Sequence, residues 1–110
     1  MQIRNQSGVD IVSENTSVKE KVTTNLKRPN MYRVILNNDD YTTMEFVIEV
    51  LVAIFNKNAT EATIIMMDVH EKGKGIVGVY THDIACTKVL QVDAMASERE
   101  FPLQAGIEEE

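Results

Sequence analysis

A cluster of turn-forming polar residues, Asn37 to Asp40, separates two strongly apolar segments of this 110-residue chain. Before the cluster, residues 31–36 are rich in β-branched and aromatic side chains, which predicts a strand. After it, residues 43–56 carry apolar side chains at spacings of three and four, which predicts a helix. Loops between such elements often present recognition groups, so a binding site is expected at this junction.

The rest of the chain shows helix and strand signals in a simple order. Thr42 with Glu45, and Asn58 with Glu61, match the capping box that starts a helix. Gly73 is a typical residue to end one. The later predicted elements are a helix at 59–72, a strand at 75–80, a helix at 82–99 after Thr81, and a short strand at 102–107.

The predicted order is β-α-α-β-α-β, which favours an α+β two-layer sandwich with the helices packed on one face of a small sheet. Residues 1–29 are mostly polar, and their apolar residues have no sustained period, so we expect a flexible N-terminal extension. The boundary falls near Pro29, and residues 30–110 are the predicted core domain.

Composition argues against several classes of function. The formal net charge of −6 argues against nucleic acid and anionic membrane surfaces as partners. Aromatic residues make up only 5%, so stacking on bases is not expected. No apolar segment is long enough to span a bilayer, and the first thirty residues lack the apolar core of a secretory signal. The single Cys86 fits a reducing cytoplasm.

The chemistry of the polar residues leaves several interpretations open. Residues 38–40 have three interpretations: a polar turn, a hard-metal site, or an anionic site for a cation. Their spacing is a poor match to a hard-metal site. His70 is either structural or a well-placed base, and Met44 and Met66 are either core residues or adaptable pocket walls. A small hydrolase built on His70 and Asp40 would need a nucleophile, and no nucleophile motif is present. We therefore expect no catalytic residue, no metal and no cofactor.

A set of specific motifs resembles the ClpS adaptor family. Residues 38–47 read Asn-Asp-Asp-Tyr-Thr-Thr-Met-Glu-Phe-Val, and the match extends over residues 29–107. The further matching residues, in register, are Met66, Val69, His70, Lys74, Gly78, Val79, Thr87, Lys88, Pro102 and Leu103. The resemblance implies a three-stranded antiparallel sheet with three helices on one face, similar to the C-terminal domain of the ribosomal stalk protein.

The same resemblance implies a bacterial cytoplasmic adaptor of the N-end rule. Such adaptors bind proteins with a destabilising N-terminal Leu, Phe, Tyr or Trp and are not enzymes themselves. They deliver these proteins to a Clp AAA+ unfoldase of the ClpA or ClpC type, docking on its N-domain, for degradation by ClpP. The alternative is a paralogue that docks on the unfoldase and modulates its substrate choice without delivery.

The family's functional positions map onto this sequence one by one. The resemblance implies that Asn38, Asp40 and His70 contact the α-amino group, with Asp39 beside them. Asp83 and Lys88 match unfoldase-docking positions. The implied apolar pocket consists of Leu36, Thr42, Met44, Val47, Met66, Val69 and Leu103, with Met44 as a gate against β-branched side chains.

Two positions depart from the family pattern near the predicted site. Thr43 stands where many relatives have Pro, and Asn37 stands where many have an apolar residue. Thr43 can still occupy the first turn of a helix, although it lacks the fixed backbone of proline. These two residues are therefore where residue preference at the pocket would differ from that of the family. Residues 1–29 carry no sequence pattern of the family. For this extension, the resemblance implies only that the unfoldase engages it.

Overall fold

The computed structural model describes residues 29–110, which form three strands and three helices in the predicted order. The elements are β1 (Met31–Asn37), α1 (Met44–Ala53), α2 (Ala59–Lys72), β2 (Lys74–Thr81), α3 (His82–Arg99) and β3 (Gln104–Glu109). The predicted extension at 1–29 lies outside the described residues, apart from Pro29. Within residues 29–110, no helix is both long and apolar enough to cross a membrane.

Strand β1 is the centre of the sheet, and it pairs antiparallel with β2 on one side and with β3 on the other. The predicted α+β fold with a three-stranded antiparallel sheet is therefore confirmed. Asn37 at the end of β1 pairs with Lys74 at the start of β2. Because only Gly73 separates Lys74 from the end of α2, this register brings the turn after β1 beside the last turn of α2.

The hydrophobic core lies between the sheet and the helices. Val34 and Leu36 alternate along β1, both are fully buried, and their side chains share one face of the sheet. The largest fully buried side chains are Phe46, Leu36, Leu51, Val34, Val50 and Val92, which come from β1, α1 and α3. Burying each of these contributes roughly 1.5–3 kcal/mol, so this core fixes where the turn between β1 and α1 begins and ends.

The two predicted capping boxes have different outcomes. At α2 the box is confirmed, because Asn58 and Glu61 each accept a hydrogen bond from the other's backbone N–H. At α1 the prediction was wrong, and the cap is Thr43, whose hydroxyl oxygen accepts the N–H of Phe46 at 3.1 Å. The hydroxyl of Thr42 instead donates to Asp39, and an ionised carboxylate is the stronger acceptor.

The ends of two elements also differ from the prediction. Helix α1 stops at Ala53, before Asn56, which adopts a left-handed backbone with φ of 55°. The last strand starts at Gln104, two residues after Pro102, and continues through Glu108 and Glu109. Those two residues pair with β1, so the ladder extends two residues beyond the predicted end of the strand at 107.

Candidate functional site

A cavity of about 280 Å³ opens between the turn after β1, the start of α1 and the end of α2. Its lining combines the turn's polar groups with apolar side chains from both helices. The lining residues are Asn38, Asp39, Asp40, Thr42, Met44, Val47, Met66, Val69 and His70. All nine were predicted from the sequence as site residues, and the fold brings them together from two separate segments, residues 38–47 and 66–70.

The cavity has two chemically different ends. Val47, Met66 and Val69 are at most 6% exposed and form an apolar floor. Met44, the first residue of α1, is 41% exposed and stands at the rim. Asn38, Asp40 and His70 are exposed and form a polar end. The arrangement suits a ligand with a cationic or hydrogen-bond-donating group next to a compact apolar group.

A backbone hydrogen bond fixes the polar end. The N–H of Asn38 donates to the carbonyl oxygen of Gly73 at 2.9 Å, which ties the turn to the end of α2. Gly73 adopts a left-handed backbone with φ of 89°, and its own N–H donates to Val69 at 3.0 Å. Glycine takes this conformation without the steric cost of a Cβ. His70, in the last turn of α2, is thereby held close to Asn38.

Asp39 holds the turn together from within. Its carboxylate accepts the N–H groups of Tyr41 and Thr42 at 2.8 and 2.7 Å, and the hydroxyl of Thr42 at 2.7 Å. Partial burial acts to raise the pKa of Asp39, but the bonds from Thr42 and Tyr41 outweigh it and leave the pKa below its usual value. Both oxygens of Asp39 are therefore committed to the turn, whereas Asp40 is exposed at the cavity.

The structure differs from the prediction at two pocket residues. Leu36 is fully buried and Leu103 is 4% exposed, and both belong to the core cluster rather than the cavity lining. Alternation along β1 directs Leu36 toward the helices, beneath the site. These two side chains belong to the same core cluster as Val47, Met66 and Val69, and the expected direct pocket contact is not seen for them.

The two predicted docking residues lie on α3, and neither lines the cavity. Asp83 is exposed in the first turn of the helix. Lys88 is half-buried, and its Nζ donates to the carbonyl oxygen of Ile54, just past the end of α1, at 2.7 Å. The same ammonium lies 5.8 Å from the ring centroids of Phe55 and Tyr80. Lys88 therefore joins α3 to α1, a role that sequence reasoning missed.

Gly75 is a second residue that sequence reasoning missed. A Cβ at this position would lie 2.9 Å from Cγ2 of Val69, which lines the cavity. The absence of a side chain lets β2 approach α2 closely enough to support that wall. A glycine inside a strand pattern is a signal for such a close approach, but the sequence does not show which side chain it accommodates.

Among residues 29–110, no group of three or more His, Cys, Asp or Glu side chains is arranged to hold a metal ion. The polar end instead offers an amide oxygen, a carboxylate and an imidazole nitrogen, which are acceptors for a cationic donor.

Comparison with known proteins identifies one family. The model of the family described as "ATP-dependent Clp protease adaptor protein ClpS" matches residues 27–106. The ClpS adapter of Acetivibrio thermocellus is 59% identical over 99 residues, covering 90% of this chain and all of that protein. The ClpS adapter of Syntrophus aciditrophicus is 58% identical over 81 residues, covering 74% of this chain and 76% of its own.

A solved structure shows the same similarity in three dimensions. Agrobacterium tumefaciens ClpS2 bound to L-phenylalaninamide superposes with a TM-score of 0.73 at 41% identity. The superposition covers 76% of this chain and the whole of that one. The sequence motifs, the fold and the relatives agree, and the chain belongs to the ClpS family of ATP-dependent Clp protease adaptor proteins.

Proposed function

We propose that this protein binds other proteins by a bulky apolar N-terminal residue and delivers them to a Clp AAA+ unfoldase for degradation by ClpP. The observation that carries the proposal is that one cavity contains both a polar acceptor end and an apolar floor. The ligand of the Agrobacterium relative supports it, since L-phenylalaninamide has a free amine beside a benzyl group and carries no carboxylate.

At the polar end, a free N-terminus presents an ammonium with three N–H donors. Asn38, Asp40 and His70 supply three acceptors, and we assign the direct ionic contact to Asp40 because the oxygens of Asp39 already hold the turn. A hydrogen bond to a charged group contributes about 1.5–3 kcal/mol. Acetylation would remove the ammonium charge and crowd the acceptors.

At the apolar end, the first side chain would pack on Val47, Met66 and Val69 beneath Met44. Burying a Leu or Phe side chain contributes roughly 1.5–3 kcal/mol. After the cost of association, the two ends together give a dissociation constant on the order of micromolar. Reversible binding of this strength suits an adaptor that must release its substrate.

For delivery, we propose that α3 docks on the N-domain of a ClpA- or ClpC-type unfoldase in the bacterial cytoplasm. Asp83 is exposed and would make the direct charged contact, whereas Lys88 would shape the surface through its bond to Ile54. Residues 1–29 are the proposed extension that the unfoldase engages. Cleavage of the substrate is left to ClpP, and the adaptor itself has no catalytic step.

Fluorescence anisotropy with labelled peptides tests the recognition step. Peptides starting with Leu or Phe should bind, whereas the same peptides with an acetylated N-terminus or a preceding Met should not. Equal binding of the acetylated peptide would exclude the assigned role of the polar end. If no peptide binds but the protein still binds an isolated unfoldase N-domain, the modulating paralogue becomes the better description.

A further inference from the structure

The side chain of Lys88 on α3 is held by groups from the end of α1 and from β2. Its Nζ donates to the carbonyl oxygen of Ile54 at 2.7 Å and lies 5.8 Å from the ring centroids of both Phe55 and Tyr80. The two centroids are 6.4 Å apart, with an interplanar angle of 39° between the rings. An ammonium within about 6 Å of a ring centroid is attracted by the π electrons of the ring. One hydrogen bond and two cation–π contacts therefore fix the same ammonium.

Gly78, two residues before Tyr80 in β2, leaves the space that the Tyr80 ring occupies. A Cβ at Gly78 would lie 2.6 Å from Oη, 2.9 Å from Cζ and 3.0 Å from Cε2 of Tyr80. Among the glycines of residues 29–110, a positive φ is found only at Gly73, so Gly78 is needed for its small size and not for its backbone conformation. A side chain at position 78 would therefore displace the ring that lies beside Lys88.

Phe55 and Tyr80 differ in how firmly the core holds them. Phe55 is 5% exposed and belongs to the core cluster, so its position is set by core packing. Tyr80 is half-buried and packs against the edge of that cluster. Burial raises the pKa of the Tyr80 phenol, so its hydroxyl stays neutral and the ring acts on Lys88 through its π electrons. Tyr80 is therefore the ring whose position can change without opening the core.

On the basis of the docking through α3 proposed above, we propose that Tyr80, in the space left by Gly78, is a positioning residue for the docking surface of α3. Lysine has more rotamer freedom than most side chains, and the aromatic contacts keep the ammonium over the end of α1. Its hydrogen bond to Ile54 then holds the first half of α3, which carries the exposed Asp83, in one position relative to α1.

A double-mutant cycle in the full chain tests the proposal, with titration of an isolated ClpA- or ClpC-type N-domain as the readout. Tyr80→Leu removes the π electrons and should weaken N-domain binding by about three- to tenfold. Tyr80→Phe keeps the ring and should bind like wild type. In a Lys88→Ala background, Tyr80→Leu should have no further effect, because the ring then has no ammonium to hold. Additive losses in the cycle would overturn the proposal.

Gly78→Ala moves the same ring without removing it. The atom nearest to the new Cβ is the hydroxyl at the tip of the Tyr80 side chain, which can shift, so the variant should lose little stability while binding the N-domain more weakly. NMR gives a readout that does not depend on docking, because the ring-current shifts of the Lys88 methylene protons should shrink in Gly78→Ala. Gly106→Ala is the matched control, since a Cβ there meets nothing within 4 Å. Unchanged Lys88 shifts in Gly78→Ala would contradict the assigned contact.

Peptide binding separates the docking surface from the cavity. All these variants should still bind peptides with N-terminal Leu, since none of the substituted residues lines the cavity. If wild type does not bind the N-domain, the proposed docking is wrong, and the positioning role of Tyr80 is excluded with it. If wild type binds and Tyr80→Leu binds equally well, the docking stands and only the positioning role is excluded.

Discussion

The backbone N–H of Asn38 donates to the carbonyl oxygen of Gly73 at 2.9 Å, and this bond joins the two halves of the site. Asn38 opens the turn that carries the acidic residues, and Gly73 ends the helix that carries His70. The neighbouring pair Asn37 and Lys74 belongs to the β1–β2 ladder. The geometry of the polar end is therefore an extension of the sheet register and does not need a ligand to form it.

The first prediction concerns the charge of Asp40. Asp40→Asn keeps the shape of the side chain and removes the charge that we propose contacts the substrate ammonium. Loss of one charge-assisted contact of about 1.5–3 kcal/mol should weaken binding of a Leu-initiated peptide by about tenfold or more. Anisotropy measures the affinity, and thermal denaturation should show an unchanged melting temperature because Asp40 is exposed. Unchanged affinity would indicate that Asp39, and not Asp40, makes the direct contact with the ammonium.

The second prediction concerns the pH dependence of stability through Asp39. Its pKa in the folded protein lies below the ordinary value of 3.8, so the ionised carboxylate stabilises the fold. This stabilisation is complete above the unfolded-state pKa and is lost as the pH falls through the folded-state pKa. Asp39→Asn should therefore be less stable than wild type at about pH 6, with the difference shrinking toward about pH 3.

Urea unfolding of both proteins across this pH range provides the measurement. Asp40→Asn is the matched control, because Asp40 lacks the hydrogen bonds by which Asp39 holds the turn. A constant difference between wild type and Asp39→Asn at all pH values would show that the bonds do not depend on ionisation.

The third prediction concerns Gly75. Gly75→Ala would place a Cβ 2.9 Å from Cγ2 of Val69, and Val69 must then move within a packed wall. Overpacking of this kind costs about 1–3 kcal/mol of stability, and the displaced Val69 should also weaken peptide binding. Gly106→Ala in β3 is the control, since a Cβ there meets nothing within 4 Å. Equal stability of the two variants, measured by urea unfolding, would contradict the prediction.

Local patterns predicted the parts of the fold that depend on local chemistry. The order of elements, the capping box of Asn58 and Glu61, and the stop at Gly73 each rest on neighbouring residues, and the structure confirms them. The predicted cap of α1 was wrong because Thr42 and Thr43 are equally able to cap a helix. In the structure, the hydroxyl of Thr42 donates to Asp39, and Thr43 therefore caps the helix.

Contacts between distant segments were the parts that the sequence could not reveal. Leu36 and Leu103 were expected in the pocket, but which layer each occupies depends on how the helices cover the sheet. Lys88 finds its acceptor at Ile54, which is 34 residues away in sequence. No spacing rule connects those two positions, because the bond requires α3 to cross the end of α1.

The fourth prediction separates the two charged residues of α3. Lys88→Ala leaves the Ile54 carbonyl without its donor and should lower stability by about 1–3 kcal/mol as well as weaken unfoldase docking. Asp83→Asn should weaken binding to an isolated unfoldase N-domain with little loss of stability, since Asp83 is exposed. Thermal denaturation and N-domain titration of both variants provide the test. Unchanged N-domain binding by Asp83→Asn would show that Asp83 is not part of the interface.

The fifth prediction concerns Met44 at the cavity rim. Its side chain is 41% exposed and lines the cavity above the apolar floor, where a β-branched first residue would meet it. Met44→Ala should widen the entrance and raise the affinity for peptides starting with Val or Ile relative to Leu. Met31→Ala is the matched control, because Met31 is 36% exposed on β1 and lies outside the cavity lining. Competition anisotropy gives the affinity ratios, and the same Val-to-Leu ratio in both variants would show that Met44 does not select the substrate.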